Sequence, residues 1–368
     1  MTEQHSAPDE EALAEVEPPR RALLRRALGT GALASLGALG LGMTGLTRAA
    51  EGGGAGNFPE HPNWKFVFIN HVTTNPFFTA TQYGIEDACA LLGCSYQWTG
   101  SQKSIASEMV NSINAAIAGG ADGLAIALVD PNAFNNPVDR ALQAGIPVVS
   151  YNADVDNHRL AYVGQDLFLA GKALGARIAS MVDEGEVAGF IATPGQLNIQ
   201  PRLDGAKEAI RESGKNIQLR EVATGPTINE EVSRVESWYL GHRDARAMFA
   251  VDAGSTMAVG RLMQKYNLHE EGVRAGGLDM LPGTLDAINA GAMDFTIDQQ
   301  PYLQGFYTVL ELFLYKMSGG LTGPANINTG LKFVTRETVQ PYLETKTRYE
   351  GNSRQPQRVE RSGPITVE

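Results

Sequence analysis

The sequence lacks any block of basic residues beyond position 50. Its formal net charge is −11, with 30 lysines and arginines against 41 aspartates and glutamates. Binding of nucleic-acid phosphates needs clustered lysine and arginine side chains. We therefore expect no nucleic-acid partner.

Motifs of the common catalytic sites are also missing. There is no G-x-S-x-G elbow, no Walker loop and no H-E-x-x-H, and only six histidines are present. Aspartates at predicted strand ends leave a glycosidase as an alternative, because sequence alone does not give the distance between two carboxylates. We expect no catalytic residues, no bound metal and no cofactor, and hence a protein that is not an enzyme.

Cysteine is scarce, with Cys89 and Cys94 as the whole complement. A disulfide across the turn at Gly93 is conceivable, but a buried helix face for Cys89 and a strand start for Cys94 favour two free thiols. No cysteine lies near Ala50, so the sequence does not favour a lipid-anchored mature end.

The N-terminal segment has the order of an export signal. In "PPRRALLRRALGTGALASLGALGLGMTGLTRAA" the pair Arg20 and Arg21 precedes an uncharged run from Ala27 to Thr47, and small residues follow at Ala49 and Ala50. The "RRALLR" start resembles the twin-arginine signal that exports folded proteins. A retained membrane anchor is the alternative. We predict a cleaved signal at 1–50, a linker at 51–63 and a periplasmic location.

Apolar strand-like runs alternate with helical patterns along the rest of the chain. Short β-branched runs joined by helices predict parallel sheets covered on both faces, and the number of strands predicts two doubly wound α/β domains. The predicted strands are Lys65–Asn70, Tyr96–Gly100, Gly123–Leu128, Pro147–Asn152, Ala161–Gln165, Val187–Ala192, Gln218–Thr224, Ala247–Asp252, Arg274–Asp279 and Asp294–Gln299. The predicted helices include Ala106–Ala118, Phe168–Val182, Ala206–Ser213, Glu230–Leu240, Thr256–Tyr266 and Leu303–Lys316.

Polar, short side chains follow nearly every predicted strand. Ligands of such sheets bind beyond the carboxyl ends of the strands, where amides, carboxylates, one arginine and aromatic residues are found. Amides donate and accept, carboxylates accept from hydroxyls, and an aromatic face covers apolar C–H surface. This mixture favours a small, neutral, polyhydroxylated ligand.

Two adjacent phenylalanines follow the first predicted strand. Neighbours on a helix lie about 100° apart, so Phe77 and Phe78 cannot both turn into the core. One of them is expected to contact a ligand.

Seven segments in order carry a family resemblance. They are "TTNPFFTATQYGIEDA", "GADGLAIALVDPNAF", "AGIPVVSYNAD", "AYVGQDLFLAGKALG", "VDAGSTMAVG", "GGLDMLPGTLDAINAG" and "IDQQPYLQG". From about Trp64 to Thr335 the chain resembles the ribose-binding type of periplasmic solute-binding protein that serves ABC importers. The resemblance implies two lobes joined by three crossovers, a monomer that closes on one monosaccharide or polyol, and delivery to a membrane permease.

The resemblance also assigns residues. It implies ligand contacts for Asn75, Phe77, Phe78, Arg202, Asp252, Asp279 and Gln299. Where many ribose binders have Asp-Arg after the fourth strand, this chain has Asn152 and Asp154, which we add together with His71 at the end of the first strand. The family's amide position holds Asp252, and no aromatic residue lies in 224–236, where ribose binders tend to supply a third ring. Other pentoses, hexoses and sugar alcohols therefore stay open.

The alternatives for these residues are structural. Asn75, Asn152, Asp252 and Asp279 could cap the helices that follow them. A ligand carrier for a chemoreceptor or sensor kinase is the alternative function, whereas a repressor would need a helix-turn-helix in place of the signal.

The resemblance divides the chain between the lobes. Lobe 1 is predicted at 64–164 and 300–328, lobe 2 at 165–299 and 329–346, and a flexible tail at 347–368. The predicted hinge lies near Gly164–Gln165, Gln299–Gln300 and Asn326–Thr329.

Overall fold

The computed structural model describes residues 59–320 and 323–344. The strands are β1 (Lys65–Asn70), β2 (Ser95–Gly100), β3 (Gly123–Ile126), β4 (Val148–Tyr151), β5 (Ala161–Gly164), β6 (Glu184–Ile191), β7 (Asn216–Ala223), β8 (Ala247–Ala250), β9 (Arg274–Leu278), β10 (Phe295–Asp298), β11 (Asn326–Asn328) and β12 (Lys332–Val334). The helices are α1 (Phe78–Leu92), α2 (Ala106–Ala118), α3 (Asn135–Gln143), α4 (Leu167–Met181), α5 (Gln200–Glu212), α6 (Ile228–Gly241), α7 (Ala253–Tyr266), α8 (Pro282–Asn289), α9 (Pro301–Ser318) and α10 (Gln340–Glu344).

The strands form two sheets with the same order. The first sheet runs β11-β5-β4-β3-β1-β2 with every pair parallel, and the second runs β12-β10-β9-β8-β6-β7 with only β12 antiparallel to its neighbour. We call the first sheet with its helices lobe 1 and the second lobe 2. The predicted fold class, two doubly wound parallel-sheet α/β lobes, is confirmed.

Both faces of the second sheet are covered. Along β8, Met248 and Ala250 pack into one hydrophobic cluster, whereas Ala247 and Phe249 pack into the other. Successive side chains of a strand point to opposite faces. A strand between two layers of helices must therefore be apolar at every position, which is why β8 shows no alternation of polar and apolar residues.

The chain passes between the lobes three times. It leaves lobe 1 between β5 and α4, returns between β10 and α9, and passes again between β11 and β12. Strands β11 and β12 are absent from the predicted elements because three residues are too few to show a period. The residue limits given to each lobe stay a prediction.

Helix α5 begins earlier than predicted, at Gln200 rather than Ala206. Pro201 lies in its first turn, where a missing N–H costs nothing. Arg202 is consequently a residue of that first turn, and its side chain is buried.

The parts of the chain outside the described residues carry three predictions. The export signal at 1–50, most of the linker at 51–63 and the tail at 347–368 lie there.

Among the described helices none is long and apolar enough to cross a membrane. Within the described part, Cys89 and Cys94 are buried free thiols.

Helices α4 and α5 approach each other through glycine. A Cβ added at Gly171 would lie 2.1 Å from the carbonyl oxygen of Arg202, and one at Gly175 would lie 2.3 Å from that of Ala206. The backbones touch where side chains would otherwise separate the helices. This contact fixes the position of α5 and hence of Arg202.

We predict that Gly171→Ala destabilises the protein, because the added methyl forces α4 and α5 apart. The free energy of unfolding should fall by about 1–3 kcal/mol, as for overpacked cores. Gly241→Ala is the control, since a Cβ added at Gly241, at the end of α6, would meet no atom within 4 Å. Urea unfolding of both variants checks this, and equal stabilities would contradict the close packing.

Candidate functional site

A small cavity of about 40 Å³ lies between the lobes, beyond the carboxyl ends of β1, β4, β8, β9 and β10. It is lined by His71, Asn75, Phe77, Phe78, Asn152, Asn198, Ile199, Arg202, Asp252, Ala253, Asp279 and Gln299. Ligands of open α/β sheets bind beyond the carboxyl ends of the strands, and this cavity lies at such an edge of both lobes. The structure brings together nine of the ten residues predicted to bind ligand.

Asp154 is the residue that the structure does not bring to this cavity. Its carboxylate accepts hydrogen bonds from the guanidinium of Arg159 and, at 2.6 Å, from the hydroxyl of Ser150. Asp154 instead lines a groove of about 290 Å³ beside the first crossover. Asp154 is therefore an ion-pair partner of Arg159 outside this cavity, and a ligand contact for it stays a prediction.

The aromatic wall comes from lobe 1. Phe78 is buried in the lobe 1 core, with Phe77 edge-on to it at 4.8 Å and His71 edge-on at 5.4 Å between ring centroids. Phe77 is only partly buried, and it also packs against a small cluster of lobe 2 formed by Ala253, Met257 and Leu281. The two rings therefore differ in environment, with Phe78 anchored in the core and Phe77 reaching across the cleft.

Asn75 holds this turn in shape. Its side-chain oxygen accepts from the backbone N–H of Phe77 at 3.0 Å, so it serves as a turn residue while lining the cavity.

His71 is buried and neutral. Burial lowers the pKa of its imidazole to about 4. The side-chain nitrogen of Asn198 lies 3.2 Å from Nε2. Because an amide nitrogen can only donate, Nε2 is the acceptor and the ring proton lies on Nδ1, which has no hydrogen-bond partner. His71 thus presents an unused donor within the lining of the cavity.

Arg202 carries its charge into the interior with a relative exposure of 2%. One terminal nitrogen donates to the carbonyl of Val251 at 2.9 Å, and the other donates to the side-chain oxygen of Gln165 at 3.2 Å. The carboxylate of Asp279 lies 3.8 Å away, while Nε has no partner. Two of the three nitrogens are held by the protein, and the third is free for a ligand.

Asn152 and Asp279 occupy equivalent places in the two lobes. Asn152 directly follows β4 and Asp279 directly follows β9, which are the fourth strands of their lobes along the chain. Both residues have a left-handed backbone, with φ of 64° and 73°. Asn and Asp tolerate this conformation better than most residues. Burial raises the pKa of Asp279 to about 6, while the charge of Arg202 and a hydrogen bond from Gln299 act in the opposite direction.

A chain of side-chain amides links the two lobes behind the cavity. Gln299 donates to Asp279 at 2.6 Å, Gln304 donates to Gln299 at 2.9 Å, and Asn152 donates to Gln304 at 3.3 Å. All of them are buried. Because this chain runs through the second crossover, the cavity and the crossover share one hydrogen-bonded network.

Asp252 caps helix α7. Its two oxygens accept from the backbone N–H groups of Ser255 at 2.9 Å and Ala192 at 2.8 Å. Asp252 both caps the helix and lines the cavity, so its capping role does not exclude a ligand contact.

The lobes also touch at the rim of the cavity. The side chains of Ser104 and Gln196 are hydrogen-bonded at 2.7 Å, and the N–H of Leu197 donates to the carbonyl of Val129 at 2.9 Å. Together with the bond between His71 and Asn198, these contacts bring the loop after β6 against lobe 1.

Asn198 is a cavity residue that the sequence did not predict; it lies between β6 and α5, just before the predicted ligand contact Arg202. Its side-chain oxygen is buried without a partner. A larger groove of about 350 Å³ over β1, β2 and α2 contains no such atom among its described lining residues. Within the described ranges, no three His, Cys, Asp or Glu residues are placed to hold a metal ion.

Comparison with known proteins decides the family. The sequence profile described as "Periplasmic binding protein domain" matches residues 66–316. This chain belongs to the periplasmic binding protein family. The match spans both lobes and confirms the resemblance found in the sequence.

Relatives of this periplasmic binding protein bind sugars according to their names. The chain is 50% identical over 314 residues to the xylose/arabinose-binding protein XylF of Sulfolobus acidocaldarius, covering 81% of this chain and 77% of XylF. It is 27% identical to the ribose import binding protein RbsB of Escherichia coli, covering 62% and 76%. The crystal structure of an ABC transporter solute-binding protein from Burkholderia graminis in complex with D-arabinose superposes with a TM-score of 0.71 at 26% identity, covering 77% and 99%.

We predict that His71 makes stability depend on pH. Its folded pKa is depressed, so the unfolded chain takes up a proton near pH 6.5 that the folded chain resists until about pH 4. Relative to His71→Asn, the wild type should lose about 3 kcal/mol of unfolding free energy between pH 7 and pH 4.

His158 provides the control of opposite sign. It is exposed, and its hydrogen bond with Asp139 raises its pKa, so any stability it contributes is present at low pH and lost as pH rises. Denaturant unfolding of the wild type, His71→Asn and His158→Asn between pH 7 and pH 4 measures how the stability contribution of each histidine changes with pH. A His71 difference that does not vary with pH would contradict the buried neutral imidazole.

Proposed function

We propose that this periplasmic binding protein captures one monosaccharide or sugar alcohol, with pentoses preferred, between its lobes and delivers it to the membrane permease of an ABC importer. The observation that carries the proposal is the set of unpaired buried polar atoms in the cavity lining: Nδ1 of His71, Oδ1 of Asn198 and Nε of Arg202. Each buried group without a partner costs roughly 1–3 kcal/mol, and a ligand with several hydroxyls would offset this cost.

The chemistry of the lining supports a neutral sugar. Two donors, one amide acceptor and the carboxylates of Asp252 and Asp279 match hydroxyl groups, while Phe77 offers a ring to the C–H face of a sugar. A cavity of about 40 Å³ excludes an oligosaccharide. The names of the relatives, which include xylose, arabinose and ribose, support pentoses first.

Closure of the lobes is the proposed mechanism. The sugar binds in the open cleft, and hinge bending at the three crossovers then brings Arg202, Asp252 and Asp279 onto it. Hydrogen bonds between Ser104 and Gln196 and between Leu197 and Val129 would latch the closed form. The closed surface is what the permease recognises, and the sugar is released chemically unchanged.

Export and assembly complete the proposal. The twin-arginine-like segment delivers the folded chain to the periplasm and is cleaved there, and the mature protein works as a monomer without a nucleic-acid partner. The charge distribution supports the last point, because no basic block follows position 50.

Isothermal titration calorimetry tests the function. Residues 51–368 would be titrated with D-xylose, L-arabinose, D-arabinose, D-ribose, D-glucose and xylitol. We expect saturable binding of at least one pentose with one site per chain. Absence of heat from every compound, or hydrolysis of a glycoside by the protein, would overturn the proposal.

Phe77 gives a site-specific form of the same test. Phe77→Leu should weaken the bound pentose about 2- to 10-fold, because an aromatic contact contributes about 0.5–1.5 kcal/mol beyond its buried area. Phe168→Leu is the matched control, since Phe168 lies partly exposed on α4 and does not line the cavity. Equal affinities for both variants would place the sugar elsewhere.

A further inference from the structure

A second cavity of about 50 Å³ adjoins the first. The two share six lining residues: His71, Asn75, Asn198, Ile199, Asp252 and Ala253. The second cavity extends past Asp252 toward helix α6, where Glu231 completes its wall. A ligand held in the first cavity therefore lies next to this extension.

Glu231 is an unusual residue for the interior. Its relative exposure is 4%, and its Oε2 atom has no hydrogen-bond partner. Among the described residues, no lysine or arginine is paired with it, although buried carboxyls normally have such a partner. One oxygen of this carboxyl, Oε2, is thus unpaired in the wall of a cavity.

The chain leaves room for this carboxyl group. A Cβ added at Gly254, in the first turn of α7, would lie 1.6 Å from Oε2 of Glu231. The backbone of Gly254 has no positive φ that would demand glycine. Space for the Glu231 carboxyl is thus the local reason for a glycine at this position.

Glu231 is a neutral acid at physiological pH. Burial raises its pKa to about 10, and the charge and hydrogen bond of Asp252 add to the effect, followed by the charge of Glu230. Both oxygens of Asp252 accept from backbone N–H groups, which stabilise negative charge there. His71, which lines the same cavity, is neutral as well. The carboxyl of Glu231 is therefore protonated.

We propose that Glu231 is a further specificity-determining residue, which hydrogen-bonds one hydroxyl group of the bound sugar where that group enters the second cavity. The inference rests on the proposed function. Because the proton of Glu231 is engaged in the hydrogen bond with Asp252, its unpaired Oε2 is left to accept from a hydroxyl group, and the negative charge of Asp252 disfavours a carboxylate at that point. The pair selects a hydroxylated, uncharged substituent over a hydrogen atom or an acid group.

The test couples one residue to one hydroxyl. The monosaccharide that binds tightest in the calorimetric panel is measured together with analogues that each lack one hydroxyl, against wild type and Glu231→Leu. The variant should bind the parent sugar about 10- to 100-fold more weakly, as expected for a buried hydrogen bond to a hydroxyl. For the single analogue that lacks the contacted hydroxyl, wild type and variant should agree within about 3-fold.

Two variants serve as controls. Glu231→Gln keeps a neutral donor and acceptor and should keep the wild-type ranking of the analogues. Glu230→Gln changes the exposed neighbouring carboxylate at the start of α6 and should leave every affinity unchanged. If Glu231→Leu does not fold, Glu231→Met and Gly254→Ala, which displaces the carboxyl, should reproduce the selective loss.

The outcomes separate this inference from the function on which it rests. An equal loss for the parent and all analogues would show a structural role and overturn the inference, as would no loss at all. If wild type binds no sugar, the proposed function itself fails.

Discussion

The buried charge of Arg202 is the constraint on which the site depends. A guanidinium excluded from water must be surrounded by acceptors, and it finds the carbonyl of Val251, the amide of Gln165 and the carboxylate of Asp279. These partners come from the residue that follows β8, the first crossover and the residue that follows β9. Gln165 in turn donates to the carbonyl of Gly330 in the third crossover at 3.0 Å. One side chain therefore connects the cavity to two of the passages between the lobes, and the amide network through Gln299 connects it to the other.

The two lobes share one topology but divide the chemistry. Lobe 1 supplies rings and neutral polar groups, represented by Phe77 and His71, whereas lobe 2 supplies the buried charges Arg202, Asp252 and Asp279. A ligand in lobe 1 alone would leave the charges of lobe 2 without their last partners. Binding and approach of the lobes are thus coupled by the cost of unpaired buried polar groups.

Much of the fold could be predicted from the sequence, because strands covered on both faces are continuously apolar and helices between them are amphipathic. The cavity was also predictable in outline, since parallel strands direct their carboxyl ends to one edge. Asp154 lies outside the cavity because its carboxylate pairs with Arg159, five residues later, and a position at a strand end does not reveal such a partner. Glu231 was missed because it lies inside helix α6, beside exposed residues, and only tertiary packing brings it to the cleft. Asn198 was missed for the same reason. It is a turn residue of lobe 2, and only the packing of the lobes brings its side chain next to His71 of lobe 1.

The central claim is that the unpaired atoms of the interlobe cavity are the ligand contacts. A crystal structure of the protein with its tightest-binding pentose tests this most directly. The account predicts the sugar between the lobes, with Nε of Arg202 and Nδ1 of His71 each within hydrogen-bond distance of a sugar oxygen. A sugar bound in another groove, or one bound between the lobes with both atoms still unpaired, would contradict it.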